Sequence, residues 1–214
     1  MISPSIADMR KVYQLQTLNE SSVKNDPLLQ FADWWQQAIA SNIEEPNAMI
    51  LSTASATGTP SSRVVLLKGI EEDGFVFYTN YESRKAREIT ENPQVSLLFF
   101  WKELERQVRI EGRIVRTSNA VSDAYFASRP SESRIGAWCS PQSQVIASRT
   151  LLDENVEKYT ARFNDGQVPR PKFWGGYIVT PHRVEFWQGR PGRLHDRIQY
   201  RLSNDAWKIE RLAP

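Results

Sequence analysis

The amino-acid sequence predicts a mainly β protein, an antiparallel sheet closed into a barrel with helices at its periphery. Three observations point there. Alternating and β-branched segments come in runs joined by hairpin-length turns. Helical periodicity falls between those runs rather than after each strand, which argues against a doubly wound α/β sheet. The chain has 214 residues, the length of one ordinary domain. Such a chain buries roughly 70% of the surface its unfolded form exposes, so it needs neither a disulfide nor a structural metal.

The elements follow in order. Asp26-Pro27 reads as an N-cap and first-turn proline, and Leu28, Phe31, Trp35 and Ile39 recur at helical spacing, predicting a helix that closes near Asn42. Residues 48–55, 63–70 and 75–80 read as strands, separated by Thr57-Gly58-Thr59-Pro60 and Glu72-Asp73-Gly74. Residues 83–90 form a short helix stopped by Asn92-Pro93, and strands follow at 95–101 and 106–116. Ser118 caps a helix that runs to about Ser128, ahead of Pro130. Residues 150–163 form the last helix, ended by Asp165-Gly166. Beyond a proline-rich stretch at 168–172, strands are predicted at 177–180, 183–188, 197–202 and 207–211. No internal repeat, low-complexity tract or linker interrupts the chain, which reads as a single domain over residues 1–214.

Composition excludes several classes. Cys139 is the only cysteine, so no intramolecular disulfide or CxxC pair can form. His182 and His195 are the only histidines, which excludes a histidine-rich metal site. The longest apolar run, from Val95 to Trp101 and broken by Ser96, is too short to span a bilayer, and residues 1–10 lack signal-peptide architecture. A soluble protein of a reducing compartment, the cytoplasm, is expected. The net charge is +2, but it is unevenly placed: residues 1–62 carry three Lys/Arg and six Asp/Glu, a balance of −3, against +5 for the rest. That field is too weak for a dedicated duplex binder. Arginines among seven Trp, nine Phe and seven Tyr fit small phosphorylated aromatic ligands better.

No G-x-G-x-x-G and no G-x-x-x-x-G-K-[ST] is present, so side chains must hold any phosphate. Four segments offer them. Arg63-Val64-Val65-Leu66-Leu67-Lys68 places a cation at each end of an apolar strand, on opposite faces unless the strand is bulged; the alternative is a strand whose end charges reach solvent. Tyr78-Thr79-Asn80 runs into a helix whose first turn holds Arg84 and Lys85, against the dipole preference, a conflict that a bound anion resolves and a solvated pair also tolerates. Tyr125 and Arg129 lie four apart at a helix end, and Pro130 turns Arg129 out of helical geometry into a turn where Ser133 can join it. A hydroxyl, guanidinium and hydroxyl set suits phosphate, though an arginine there can also bond its own helix carbonyls. In Arg193-Leu194-His195-Asp196-Arg197, positions 193, 195 and 197 share one face of an extended segment, where three cation-capable groups need a compensating ligand.

These residues carry a resemblance. The chain resembles the pyridoxamine 5′-phosphate oxidase (pyridoxine 5′-phosphate oxidase) family over essentially its whole length. The matching motifs are Arg63 to Lys68, Phe77-Tyr78-Thr79-Asn80, Ser83-Arg84-Lys85-Ala86, Leu104-Glu105-Arg106-Gln107-Val108, Ser128-Arg129-Pro130, Ile135-Gly136-Ala137-Trp138, Phe173-Trp174-Gly175-Gly176, Glu185-Phe186-Trp187-Gln188, Arg193 to Arg197, and the terminus from Trp207 to Pro214. The resemblance implies a split β-barrel homodimer with FMN at the subunit interface, oxidising pyridoxine or pyridoxamine 5′-phosphate to pyridoxal 5′-phosphate while O2 becomes H2O2, in vitamin B6 synthesis and salvage.

By motif position, the resemblance implies FMN contacts from Arg63, Val64, Val65, Leu66, Leu67, Lys68, Tyr78, Thr79, Arg84, Lys85, Gln107, Gln142, Ser143, Trp187 and Arg197. Substrate phosphate would meet Lys68, Tyr125, Arg129 and Ser133. Arg193, Leu194 and His195 would lie at the reacting face, with Arg193 and His195 catalytic. Arg10 and Tyr13 would close the pocket from a mobile N-terminal arm, residues 1–25, although residues 14–22 lack the glycine- and arginine-rich pattern of some relatives. Two cation groups, Arg63 with Arg84 and Lys85, and Lys68 with Arg129, then match two phosphates. The resemblance implies hydride transfer from C4′ to flavin N5, the flavin carrying the difficult step. A guanidinium stays protonated and cannot serve as a base, so Arg193 orients and stabilises charge, and His195 is the nearby titratable group. Two other readings share the barrel: a flavin reductase using a nicotinamide cofactor, which has no need of the Tyr125, Arg129 and Ser133 set, and a non-catalytic barrel that binds flavin or single-stranded nucleic acid.

Overall fold

Asp26 begins the first helix as its sequence predicts. Its carboxylate accepts the backbone N–H groups of Leu28 and Leu29 at 2.7 and 3.1 Å, Pro27 occupies the first helical position, and α1 runs Pro27–Ala40. This computed structural model describes residues 12–71 and 74–214, so the turn expected at Glu72-Asp73 lies largely outside the described residues. The remaining elements are β1 (Ala48–Ala54), β2 (Pro60–Leu66), β3 (Gly69–Glu71), β4 (Gly74–Asn80), α2 (Arg84–Glu91), β5 (Gln94–Trp101), β6 (Arg106–Arg116), α3 (Asn119–Ser128), α4 (Ser131–Cys139), α5 (Thr150–Arg162), β7 (Trp174–Gln188), β8 (Asp196–Ser203) and β9 (Ala206–Arg211). The strands form one sheet in the order β2-β1-β5-β6-β7-β4-β3, with β8 pairing β7 and β9. β1–β2, β3–β4, β4–β7, β7–β8 and β8–β9 pair antiparallel, with Ile50 opposite Val64 in β1–β2 and Tyr78 opposite Gly176 in β4–β7. The mainly antiparallel sheet with peripheral helices is the predicted class.

The chain clusters into two units, one comprising Met1–Pro46, Leu97–Ile110 and His182–Pro214, the other Asn47–Ser96 and Glu111–Pro181. In the first, α1 buries Phe31 and Trp34. Phe31 meets Phe99 at 5.0 Å between ring centroids, and Trp34 meets Phe186 edge-on at 5.1 Å. Full burial of a side chain such as Phe31 contributes roughly 1.5–3 kcal/mol. In the second, Phe75, Phe77, Tyr177 and Val179 of β4 and β7 are buried, as are Ala86 and Ile89 of α2. A separate cluster of Phe126, Phe163, Val168 and Trp174 ties α3 and the segment before β7 together.

Four departures from the sequence reading have physical causes. The strand expected over 63–70 is two strands, because Lys68 turns away and gives its N–H to Val76 O at 2.8 Å. The turn expected after Pro130 is the helix α4, a short element whose Gly136 and Ile135 weaken its helical signature. Arg129 itself is extended (φ −74°, ψ 149°), as a residue before proline should be. The strands expected on either side of Pro181-His182 are one, β7. Proline is tolerated between the pairing of β7 with β4, which ends at Val179, and that with β8, which begins at Arg183. Glycines flank it: a Cβ on Gly112 of β6 would lie 2.3 Å from Thr180 O and 3.0 Å from Pro181 Cα, and one on Gly74 of β4 would lie 3.3 Å from Pro181 Cδ. Finally, Pro191–Arg193 is a 3-10 turn, not extended chain.

Gly112→Ala decides whether that close approach is obligatory. Strand propensity alone favours alanine, whereas the clash with the Thr180 carbonyl should destabilise the fold by about 1–3 kcal/mol. Urea unfolding followed by circular dichroism should show a lower midpoint for the variant; an unchanged or higher midpoint would contradict the packing described.

Candidate functional site

β4 and α2 meet at a tight corner that delivers a cation to the interior of the second unit. Ser83 holds the N-cap position of α2 and donates its hydroxyl back to Asn80 O at 2.7 Å, without capping the helix. Lys85, in the first turn, points inward. Its ammonium donates to Thr79 Oγ1 at 3.1 Å, Ser83 Oγ at 3.3 Å and Gln142 Oε1 at 2.9 Å. All three acceptors are neutral, and among the described residues no carboxylate pairs with Lys85. Burial, and then the charge of Arg63, push its pKa down to about 8. A buried ammonium held only by neutral acceptors is short of an anion.

Lys85 lines a cavity of about 500 Å³ together with Arg63, Val64, Val65, Leu66, Lys68, Tyr78, Thr79, Tyr125, Arg129, Gln142 and Trp174. Arg63 and Lys68 thus share one cavity, because β2 ends between them. Arg63 is largely engaged by protein: it donates to Leu51 O and Thr53 Oγ1 through Nη1, and to Ser61 Oγ and Glu88 through Nη2. Glu88 is the residue that sequence reasoning missed. Burial alone would raise its pKa, but hydrogen bonds from Ser61, Thr53 and Arg84 outweigh that and hold it at about 2. Arg84 is exposed and turned to Glu88 at 2.8 Å, the ordinary i,i+4 pairing, and does not line the cavity. The expected trio of Arg63, Arg84 and Lys85 is therefore a carboxylate-bridged arginine pair beside one uncompensated lysine. Leu67 is buried in the core and Ser143 is exposed (φ 67°), and neither lines the cavity.

Tyr78, Tyr125 and Trp174 stack on one wall: Tyr78 and Tyr125 lie 3.8 Å apart at 12°, and Tyr125 and Trp174 are inclined by only 3°. Burial pushes both tyrosine pKa values up, so their hydroxyls stay protonated donors. Arg129 lies over Trp174 at 4.6 Å, and its Nη1 is buried without a hydrogen-bond partner. Burial also depresses the Arg129 pKa. Arg129, Gln142 and Trp174 line in addition a second cavity of about 260 Å³, together with Asn80 and Ser133. Arg129 and Ser133 are thus brought together, across the start of α4 and not within a turn. Trp174 carried no site expectation, and its place in a hydrophobic motif offered no signal for one.

The other expected residues belong to the first unit. Arg10 lies outside the described residues. Tyr13 meets Trp187 edge-on at 5.8 Å and His195 at 6.0 Å, and Trp187 and His195 are 4.5 Å apart. His195 Nδ1 accepts the Arg190 N–H at 3.1 Å, which leaves the proton of the neutral ring on Nε2. Burial, then Arg193, lower its pKa. The shared face expected for residues 193, 195 and 197 is absent: Arg193 ends the 3-10 turn at φ 62°, and β8 begins only at Asp196. Arg197 is bidentate to Glu185 at 2.8 and 3.1 Å, which raises its pKa, and also donates to Ala213 O. Leu194 is exposed, and Gln107 lies half-buried on β6.

An antiparallel sheet with peripheral helices, carrying cation-lined, aromatic-walled cavities, defines the class of a small-molecule-binding split barrel. Comparison with known proteins narrows it. Residues 35–163 match the family model described as pyridoxamine 5′-phosphate oxidase, and residues 174–214 match the pyridoxine 5′-phosphate oxidase C-terminal dimerisation region. The chain is 56% identical over 211 residues to pyridoxine/pyridoxamine 5′-phosphate oxidase of Paraburkholderia phymatum, covering 98% of this chain and 99% of that one. It is 51% identical over 210 residues to the protein of that name from Acaryochloris marina, covering 98% and 96%. PhzG from Burkholderia lata, solved with tetrahydrophenazine-1-carboxylic acid, superposes with a TM-score of 0.89 at 29% identity, covering 95% of this chain and 100% of that one. An FMN-binding protein of Nostoc punctiforme shares the fold, with a TM-score of 0.70 at 17% identity over 90% of this chain and 100% of that one. The chain belongs to the pyridoxamine 5′-phosphate oxidase family, and is an oxidoreductase.

The His195 geometry makes a direct prediction. Nitrogen NMR should find the neutral ring protonated on Nε2, titrating below the usual value near 6.5. Because the folded form binds the proton less readily than the unfolded chain, this group's contribution to stability is complete above about pH 6.5 and falls away as pH drops through the lowered folded value. A ring protonated on Nδ1 at neutral pH would contradict the bond to Arg190.

Proposed function

We propose that the protein oxidises pyridoxamine 5′-phosphate and pyridoxine 5′-phosphate to pyridoxal 5′-phosphate with FMN as its cofactor, acting as a cytoplasmic homodimer in the synthesis and salvage of vitamin B6. The observation that carries this reading is a pair of cations short of an anion, buried Lys85 and half-buried Arg129, that line one cavity, with Arg129 lining a second as well. Lys85 has only neutral acceptors, and Arg129 Nη1 has none. Two phosphate esters would complete them. The family match supports the reaction, and the match of residues 174–214 to a dimerisation region supports the homodimer. No helix among the described residues is long and apolar enough to cross a membrane.

The residues present fit FMN. Lys85 would receive its phosphate, supported by Arg63 and by the hydroxyls of Thr79 and Ser83 that already hold the ammonium. When bound, FMN supplies the hydride acceptor and hands the electrons to O2, giving H2O2. Gln107, Trp187 and Arg197 remain assigned to the flavin by family resemblance, and Arg197 would act there while anchored by Glu185. The substrate phosphate is assigned to Arg129, Ser133, Tyr125 and Lys68. The raised tyrosine pKa keeps the Tyr125 hydroxyl a donor towards a dianion.

Arg193 and His195 are assigned to the reacting end of the substrate. The Arg190 bond engages the basic lone pair of His195, so in its resting tautomer His195 donates from Nε2 and does not take the C4′ proton. Arg193 carries a fixed charge on an exposed 3-10 turn. That suits stabilising a developing lone pair or oxyanion, not proton transfer.

Adding pyridoxine 5′-phosphate to the FMN-loaded protein should release H2O2; a flavin reductase or a binding module would release none. Two variants then separate binding from chemistry. Arg129→Ala should raise KM on the order of 10- to 150-fold, since a charge-assisted bond to phosphate is worth roughly 1.5–3 kcal/mol in ground and transition states alike. Arg193→Ala should retain FMN yet lower kcat by about 10²–10³. Anaerobic stopped-flow reduction at the unmutated rate in Arg193→Ala would remove that residue from the chemistry.

A further inference from the structure

The hairpin end Leu104-Glu105-Arg106 is part of a sequence motif to which the proposed function assigns only the neighbouring Gln107. Its geometry is costly. Glu105 is buried, at 2% exposure, and holds φ at +56°, a left-handed conformation uncommon for a residue with a long side chain. A glycine or asparagine would meet the backbone requirement more readily. A buried carboxylate must in addition be hydrogen-bonded.

Its contacts show how. Glu105 Oε2 accepts the backbone N–H of Gln14 at 2.8 Å and of Leu15 at 3.1 Å. The Glu105 carbonyl accepts the Gly189 N–H at 2.7 Å and Gln188 Nε2 at 3.3 Å. One residue thus grips both the N-terminal arm and the end of β7, the two segments whose rings meet as Tyr13, Trp187 and His195. Gly189 leaves the space for this: a Cβ there would lie 2.7 Å from the Tyr13 ring and 3.1 Å from Glu105 Cβ. Arg106 adds a second grip. Its buried guanidinium donates to Gln16 Oε1, Gln188 Oε1 and Gln37 Oε1, and stacks over Trp34 at 4.2 Å.

We propose that Glu105 is a positioning residue of the substrate site, its carboxylate holding residues 13–16 so that the Tyr13 ring stands against Trp187 and His195. The proposal rests on the functional reading above, with His195 at the reacting end of the substrate, and on the family expectation that Tyr13 closes the pocket. Glu105 touches no substrate atom and acts through Tyr13.

The test uses the FMN-loaded full chain with Glu105→Gln, Tyr13→Ala and the double variant. A neutral amide is a weaker acceptor than a carboxylate, so the Gln14 and Leu15 amides should exchange with solvent about fivefold faster or more in Glu105→Gln, with β8 and β9 amides unchanged. KM for pyridoxine 5′-phosphate should rise by a similar factor, while kcat and FMN affinity hold. Glu105→Gln should add less than about twofold to the KM of Tyr13→Ala, because two residues acting through one contact are not additive. Unchanged amide protection, or full multiplication of the two KM effects, would overturn the proposal. Loss of FMN affinity with faster exchange throughout β8 and β9 would overturn it too, marking Glu105 as a folding residue. No turnover by the unmutated protein would overturn the functional reading and the substrate role of Glu105 with it, while amide exchange would still report whether the carboxylate holds the arm.

Discussion

A buried ammonium without a counter-charge is the constraint around which the second unit is arranged. Lys85 reaches the interior because β4 ends at Asn80 and the chain turns at once into α2, where the hydroxyl of Ser83 and the strand hydroxyl of Thr79 receive the amine. Gln142 completes the cage from a distant loop. Three neutral acceptors cannot replace the hydration of a full charge, and the pKa of about 8 records the deficit. The first turn of a helix is a poor place for a cation, and the same turn is a good place for an anion. A phosphate would satisfy the lysine and the helix end together.

Glu88 makes that arrangement tolerable. Arg63, Arg84 and Lys85 would otherwise repel one another, and the carboxylate takes both guanidiniums while binding Thr53 and Ser61. One negative among three positives leaves a local excess near +2, the charge that a phosphate dianion neutralises. The Tyr78, Tyr125 and Trp174 stack forms an apolar wall beside these charges, and Arg129 lies on it with an unfilled donor. In the first unit Glu185 occupies Arg197, and Glu105 and Arg106 hold the arm, the Arg106 guanidinium on the amide oxygens of Gln16, Gln37 and Gln188.

Much of this was legible in the sequence, for local reasons. Asp26-Pro27, Ser118 and Asn92-Pro93 are short-range signals, and the elements they bound begin or end where expected. The conflict of the basic first turn of α2 with the helix dipole is visible in the sequence itself, and the Pro130 effect on Arg129 followed from sterics alone. What failed depended on partners remote in sequence. Glu88 reads as an ordinary surface position of a helix until Thr53 and Ser61 are brought to it. Pro181 reads as a strand breaker until Gly74 and Gly112 flank it. Arg197 reads as a free cation until its side chain is found on Glu185 of the neighbouring strand. Periodicity could not show that residues 191–193 coil, so the common face of Arg193, His195 and Arg197 dissolved.

Flavin affinity reads out whether Lys85 receives a phosphate as proposed. Fluorescence quenching titrations of the flavin-free protein and its Lys85→Met variant, with FMN and with riboflavin, isolate the phosphate as the only difference between ligands. The unmutated protein should prefer FMN strongly. Lys85→Met should lose affinity for FMN on the order of 10- to 150-fold, as expected for one charge-assisted bond worth roughly 1.5–3 kcal/mol, and bind riboflavin as before. Equal losses for both flavins, or an FMN affinity that survives the substitution, would contradict the account.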